Sequence, residues 1–198
     1  MDKITKYITA VHETGHAFAL IATYRQNDIK EVSIKDNGIN TGVCLRTTQG
    51  ADQPHAAEYW KTPFEVFPLF RECCLCFGGL IAENVILGRG LDLFNMEIRD
   101  GGQQDRKDFA VLCEKIGLSK ETRESYIKIV NEWLGMVFRE HADGIKRASE
   151  ILASRGRIAQ STLIHIYNGI YKPRPPRRLE DRRQPPKRNF SRLKNAKH

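Results

Sequence analysis

Residues 4–24 read ITKYITAVHETGHAFALIATY, and this stretch decides the fold of the N-terminal region. Small and apolar residues recur in it at steps of three and four, which is the spacing of one face of an α-helix. They are Ile4, Ile8, Val11, Gly15, Phe18 and Ala22. We therefore expect a helix from about Ile4 to Tyr24. Within it, His12-Glu13-Thr14-Gly15-His16 has the pattern HExxH.

An HExxH helix can hold a metal ion because its two histidines lie one helical turn apart on the same face. His12 and His16 would offer neutral ring nitrogens, and zinc is the usual metal in such a site. Glu13 would lie beside the open coordination position, where it can take a proton from a water molecule that the metal acidifies. The pattern predicts a zinc metallopeptidase. The alternative is a polar helix face that carries two solvated histidines.

A catalytic zinc site needs a third protein ligand. No HExxHxxGxxH extension follows His16, so the third histidine of the metzincins is absent. A carboxylate from elsewhere must complete the site, and the candidates are Asp105, Glu83 and Asp108. Asp105 follows Gly101-Gly102 at the start of a predicted helix, where the helix dipole alone would also favour an acidic residue.

The rest of the chain predicts one small hairpin and several helices. Strand-like alternation occurs over 31–35 and 41–46, with a turn at Asp36-Asn37-Gly38 between them. Residues 47–61 have no pattern and are expected to form a loop. Helices are expected over 62–87 with a kink or restart at Pro68, over 103–116, over 120–152 with candidate breaks at Gly135 and Gly144, and over 161–170. The predicted fold class is α+β and mostly α-helical, with a metal helix, a small sheet and a C-terminal helical bundle.

Several segments resemble, in order, the FtsH-type peptidase domain, which is the proteolytic part of AAA membrane proteases. Residues 11–17 resemble its HEAGHA segment, and residues 77–83 resemble its GGRxAE helix, with Leu80 in place of the usual Arg. Residues 100–105 resemble its TGAxND segment, with Gln104 in place of Asn. Weaker matches lie at 32–34, 41–43, 145–152 and 156–158, so the resemblance covers roughly residues 5–170.

The resemblance implies that Asp105 is the third zinc ligand and that residues 41–46 form an edge strand that receives an extended substrate; a plain structural hairpin is the alternative. It also implies a polypeptide substrate. The family couples its peptidase to an ATPase, which needs a P-loop of the form G-x-x-x-x-G-K-[ST]. The dipeptide Gly-Lys does not occur in the 198 residues. We therefore expect ATP-independent cleavage of unfolded or flexible polypeptides, with a separate unfoldase as a candidate partner.

The positive charge lies at the C-terminus. Residues 172–198 contain 11 Lys/Arg and 2 Asp/Glu, a net charge of +9, so residues 1–171 carry −1 of the total +8. We expect residues 1–171 to form the FtsH-like domain. Residues 172–198 would form a disordered Pro/Arg-rich tail that binds a polyanion, such as nucleic acid or an anionic membrane surface. A solvated tail without function is the alternative.

The five cysteines are an odd number without the spacing of a disulfide framework. No signal peptide is recognisable, and the longest uncharged apolar stretch, 73–82, is far shorter than the roughly 18–20 residues of a spanning helix. We expect no transmembrane segment and a cytoplasmic, reducing environment. Cys73, Cys74 and Cys76 are interpreted as small buried hydrophobic residues.

Two other classes of function compete with the peptidase. The first is a binding or regulatory protein that keeps a peptidase fold without catalysis and contacts nucleic acid or another polyanion through its tail. The second is a structural or nucleic-acid-associated protein in which the tail matters most.

Overall fold

A computed structural model of the chain describes residues 2–36, 40–46, 66–95 and 101–170, with side chains omitted at 35–36, 40–46 and 66–68. Six α-helices, one short 3-10 helix (Gln26–Asp28) and three strands lie in this part of the chain. The α-helices and strands are α1 (Lys3–Ala22), β1 (Ile29–Asp36), β2 (Asn40–Arg46), α2 (Val66–Leu87), α3 (Gln103–Lys115), α4 (Lys120–Glu140), α5 (Ala142–Arg155), β3 (Arg157–Ala159) and α6 (Gln160–Tyr167). The fold is α+β and mostly helical, which confirms the predicted class.

Helix α1 is the central element. Asp2 caps its N-terminus by accepting a hydrogen bond of 2.9 Å from the backbone N–H of Thr5. Every residue from Ala10 to Ile21 is buried, because α1 packs against α2, α5, α6 and the sheet. The buried surface of α1 is therefore wider than the predicted apolar stripe, because the second half of the helix is buried on all sides. Ile4, at the start of the stripe, is 75% exposed.

Helices α1 and α2 cross at close range. A Cβ atom on Gly15 would lie 2.5 Å from the Cβ of Ala82, and one on Gly78 would lie 2.9 Å from the carbonyl oxygen of Gly15. Only glycine at both positions allows the two backbones to approach this closely. The crossing brings the HExxH segment of α1 against the middle of α2.

A three-stranded antiparallel sheet in the order β2-β1-β3 lies beside α1. The β1–β2 pairing, with Asp36 opposite Asn40, forms the predicted hairpin. Strand β3 was not predicted, because three residues are too few to show an alternating pattern. Strand β2 is an edge strand of this sheet.

The long helix expected over 120–152 is two helices, and the predicted breaks at Gly135 and Gly144 are wrong. Both glycines lie inside helices, and the chain turns at His141, whose ring stacks on Tyr167 with centroids 4.1 Å apart. Gly144 faces Phe18 and Ile166, where a Cβ atom would be 3.5 Å from both side chains. An added Cβ would make ordinary van der Waals contact at this position, and the helix continues through the glycine without a break.

The other helices agree with the sequence to within a few residues. Helix α3 starts at Gln103 as predicted, and Ser119 caps α4 by accepting from the N–H of Thr122. Pro68 lies in the first turn of α2, where a helical N–H has no partner within the helix. Across the described residues, no helix combines the length and the apolar character needed to cross a bilayer.

Several predictions concern residues outside the described ranges. They are the turn at Asn37-Gly38, the loop over 47–61, the start of the second helix at Thr62–Glu65, and the tail over 172–198.

Candidate metal centre

Three side-chain atoms from two helices converge beside the α1–α2 crossing. His12 Nε2 lies 3.0 Å from His16 Nε2 and 3.0 Å from Asp105 Oδ2, and His16 Nε2 lies 3.6 Å from the same oxygen. Both histidines are buried and come from α1, whereas Asp105 lies in the first turn of α3 with a side chain 19% exposed. These are the residues that the HExxH pattern and the family resemblance select.

The triangle of ligand atoms suits a metal ion. Tetrahedral zinc lies about 2.0–2.2 Å from nitrogen and oxygen ligands, which puts neighbouring ligand atoms at about 3.3–3.6 Å from one another. Asp105 Oδ2 is buried, and the groups beside it are the Nε2 atoms of His12 and His16, at 3.0 and 3.6 Å. A cation between the three atoms would balance the charge of this buried carboxylate. The donor set of two imidazoles and a carboxylate is one that zinc favours.

The opposite nitrogen of each imidazole makes a hydrogen bond that sets the tautomer. His12 Nδ1 lies 2.7 Å from Glu83 Oε1, and His16 Nδ1 lies 2.7 Å from the carbonyl oxygen of Leu75. Because a carbonyl oxygen can only accept, His16 Nδ1 carries a proton, and its Nε2 lone pair is free to point at a metal. The carboxylate of Glu83 has the same effect on His12. Such outer partners fix ring orientation in metal sites.

The two rival carboxylates lie elsewhere. Glu83 is 1% exposed and bonds to the far side of the His12 ring, so its oxygen faces Nδ1 and not the triangle. Asp108 is exposed on α3 and accepts a hydrogen bond of 2.7 Å from Gln104. In the described part of the chain, His12, His16 and Asp105 form the one group of three His, Cys, Asp or Glu residues whose ligand atoms lie within 4.8 Å of one another.

Glu13 follows His12 on α1 and is 8% exposed. Burial acts to lower the pKa of His12, but the neighbouring carboxylates of Asp105, Glu83 and Glu13 act to raise it. The balance raises the pKa of His12 to about 10. The charge of Glu13 is therefore close enough to act on His12. Without a metal, both ring nitrogens of His12 are protonated at neutral pH, and the imidazole is positively charged.

The backbone of α2 supports the His12 ring. A Cβ atom on Gly79 would lie 2.5 Å from His12 Nε2, so this glycine leaves the space that the imidazole fills. The two adjacent glycines of α2 thus have different roles: Gly78 allows the helix crossing, and Gly79 leaves room for the imidazole of His12.

The remaining chemistry-bearing residues do not join the site. Cys73 and Cys74 are buried and free, as predicted, whereas Cys76 is only partly buried. Cys113 is also buried and free, and burial raises the pKa values of Cys73 and Cys74. His165 is exposed and His141 stacks on Tyr167, whereas His55 lies outside the described residues.

Sequence reasoning missed two residues near the site. Arg89 contacts the second oxygen of Glu83, and Arg106, next to Asp105, is fully buried. Neither has a local sequence signal, because an arginine in a loop or on a polar helix is ordinarily a surface residue.

Comparison with known proteins agrees with this geometry in part. No family model matches the chain. A stretch of 105 residues, 53% of the chain, is 28% identical to the ATP-dependent zinc metalloprotease FtsH of Chlamydia trachomatis serovar L2. That stretch covers 10% of the relative, so the chain spans only a small part of its length. The chain thus has a region similar to part of FtsH and a candidate His-His-Asp metal site.

Proposed function

We propose that this chain is a zinc-dependent endopeptidase in which His12, His16 and Asp105 hold the metal and Glu13 is the general base. The observation that carries the proposal is the convergence of His12 Nε2, His16 Nε2 and Asp105 Oδ2 within 3.0–3.6 Å of one another. The similarity to a zinc metalloprotease over 105 residues supports the same chemistry.

When bound, zinc would act as a Lewis acid that lowers the pKa of a water molecule and polarises the scissile carbonyl. The residues of the chain supply the rest. Glu13 takes the proton from the attacking water and passes it to the leaving amine. Glu83 and the carbonyl of Leu75 hold the two imidazoles with their Nε2 lone pairs turned inward. The buried surroundings of the histidines strengthen these electrostatic interactions by excluding water.

The proposed substrates are unfolded or flexible polypeptides, cleaved without ATP. A folded substrate keeps its backbone in hydrogen bonds, and the 198 residues contain no P-loop sequence with which to use ATP for unfolding. A separate unfoldase would be the partner that supplies folded substrates in open form.

Metal content and hydrolysis, measured on the same variants, test this proposal. Glu13→Gln should keep its zinc and lose nearly all hydrolysis of casein, because the general base is lost and the ligands remain. His12→Ala, His16→Ala and Asp105→Ala should lose zinc or bind it far more weakly.

Asp108→Asn is the matched control, since it removes a carboxylate three residues from Asp105 on the exposed side of α3. It should change neither zinc content nor hydrolysis. Unchanged zinc content in Asp105→Ala would contradict the ligand set. Zinc binding by the wild-type chain without hydrolysis would instead favour the catalytically silent binding protein.

A further inference from the structure

The carboxylate of Glu83 is an almost fully buried anion with two different partners. Its Oε1 lies 2.7 Å from Nδ1 of His12, and its Oε2 accepts a hydrogen bond from Nη1 of Arg89. The Glu83 side chain is 2% exposed, whereas that of Arg89 is 36% exposed. A continuous row of hydrogen-bonded groups therefore runs from the protein surface at Arg89, through Glu83, to the ring of His12.

The turn after α2 places the side chain of Arg89 beside Glu83. Helix α2 ends at Leu87, and Gly88 and Gly90 on either side of Arg89 both have a φ of +64°, a conformation that glycine adopts without strain. The side chain of Asn84 stabilises this turn by two hydrogen bonds to the backbone of Leu91. Its Nδ2 donates to the carbonyl of Leu91 at 2.9 Å, and its Oδ1 accepts from the N–H of Leu91 at 2.6 Å.

We propose that Arg89 is a positioning residue of the metal centre: its guanidinium fixes the Glu83 carboxylate, which in turn orients His12 Nε2 toward the metal. The physical reason is charge balance in a buried place. A carboxylate that is removed from water needs a cation as well as hydrogen bonds, and a guanidinium provides both on one side while leaving Oε1 for the histidine. This inference rests on the metal centre of the proposed function.

The test compares Arg89→Met with Arg25→Met. Arg25 makes the same kind of contact to α2, through Glu72, and its side chain is 19% exposed. Glu72 lies 11 residues before Glu83 in α2, roughly 16 Å away along the helix. Both variants therefore lose an ion pair between an arginine and a glutamate of α2. In the Arg89–Glu83 pair, the glutamate also bonds to the proposed metal ligand His12.

The readouts are zinc affinity, by competition with a chromophoric chelator, the unfolding midpoint of the metal-free protein, and the NMR signal of the His12 Nδ1 proton. Loss of a direct partner of a metal ligand typically weakens binding by about 10–100-fold, so Arg89→Met, one step further out, should weaken it by about three- to tenfold. It should also shift the His12 Nδ1 proton signal. Arg89→Lys should recover part of the affinity, since it keeps the charge but not the planar donor pair. Arg25→Met should lower the unfolding midpoint and leave zinc affinity and the His12 signal unchanged.

Zinc affinity and a His12 signal in Arg89→Met equal to those of the wild type would overturn the inference, as would an equal loss of affinity in Arg25→Met. If Arg89→Met does not fold, Arg89→Gln takes its place with the same expectations. The His12 signal is measured without metal, so it tests the inference even for a wild-type chain that binds no zinc. Failure to hydrolyse casein would contradict the proposed function alone.

Discussion

The His12 ring lies directly over the backbone of Gly79, where an added Cβ atom would be 2.5 Å from Nε2 and from Cε1 of the imidazole. Glu83, one turn further along the same helix, bonds to Nδ1 of this ring, so the ring cannot rotate away without losing a buried hydrogen bond. We expect Gly79→Ala to displace His12 and to weaken zinc binding at least about tenfold, as expected when a ligand loses its orientation. Elemental analysis and chelator competition measure this loss.

Gly135→Ala is the control for the gain in helix propensity. Gly135 lies inside α4, and the nearest atom to its added Cβ would be the terminal nitrogen of Arg139, at 3.5 Å. This substitution should stabilise the protein by up to about 1 kcal/mol and leave zinc affinity unchanged. Wild-type zinc affinity in Gly79→Ala would show that the His12 ring does not depend on this space.

Arg106 follows the proposed ligand Asp105 and is completely buried. Its Nε and Nη2 donate to the carbonyl oxygen of Asp92 at 2.9 and 2.6 Å, which ties α3 to the segment after α2. We expect Arg106→Met to lower the free energy of unfolding by about 1–3 kcal/mol, because the partly buried carbonyl of Asp92 loses its donors and the fully buried guanidinium is removed. Zinc affinity should fall as well, since the first turn of α3 carries Asp105. Denaturant unfolding with and without zinc measures both effects.

Lys107→Met removes the same charge from the adjacent, exposed position of α3. It should change the unfolding free energy by less than about 0.5 kcal/mol. Equal stability of Arg106→Met and Lys107→Met would contradict a structural role for the buried guanidinium.

The sequence predicts the parts of this site that are local. HExxH on a helix needs only the 3.6-residue period to bring His12 and His16 together, and α1 has that period. The start of α3 at Gln103, beside Asp105, was also predicted, because the glycine pair and the helical pattern are local signals. The fold class follows from the same signals summed over the chain.

Contacts between residues far apart in the chain could not be predicted from these local signals. Reasoning from the residues left Asp105, Glu83 and Asp108 open as candidates for the third ligand, and the family resemblance favoured Asp105. The structure separates them by distance: Asp105 faces His12 Nε2, Glu83 faces Nδ1 and Asp108 faces solvent. The break at His141 was missed for a similar reason. It depends on packing against α6 through Tyr167, whereas Gly135 and Gly144 have helix-breaking propensity that packing overrides.

Zinc binding should release a proton from His12. The pKa of His12 is raised from 6.5 to about 10 in the metal-free protein, so the imidazole is protonated at pH 8, and a metal ligand must be deprotonated. Zinc affinity should therefore increase with pH between 7 and 9.

The stability of the metal-free protein should change with pH in the opposite direction. A raised folded-state pKa contributes stability that is fully present below about pH 6.5 and is lost as the pH rises through about 10.

Calorimetric titration with zinc in two buffers of different ionisation enthalpy counts the protons released. About one proton per zinc is expected from His12 at pH 8. The unfolding midpoint of the metal-free protein should fall over the same rise in pH. A zinc affinity that does not vary between pH 7 and 9 would contradict the protonated state of His12.

The charged tail gives a separate prediction. Residues 172–198 carry a net charge of +9 and lie outside the described ranges. Truncation after Tyr171 should leave the fold and peptide hydrolysis unchanged and remove salt-sensitive binding to nucleic acid or anionic vesicles. Binding measured at two salt concentrations tests this. Polyanion binding that survives truncation would locate the basic surface in residues 1–171.

The state of the substrate should decide whether this chain cleaves it. A peptidase must receive an extended backbone segment, but opening a folded domain costs about 5–15 kcal/mol, which hydrolysis does not provide in advance. Within the 198 residues, no Gly-Lys dipeptide is present to build a P-loop for ATP. We therefore expect cleavage of casein and short peptides, little cleavage of a stable folded domain, and no stimulation by ATP.

One folded protein in two forms gives the sharpest test: the native domain and a destabilised variant of it that is unfolded under the assay conditions. The two forms differ by little more than the free energy of opening, so sequence preference cannot explain a difference between them. The unfolded variant should be cleaved and the native domain spared, each equally with and without ATP, and Glu13→Gln should cleave neither. Because cleavage of a transiently open state follows its equilibrium population, partly destabilised variants should be cleaved at rates that increase with their unfolded fraction. ATP-dependent destruction of the native domain by the purified chain alone would refute this prediction.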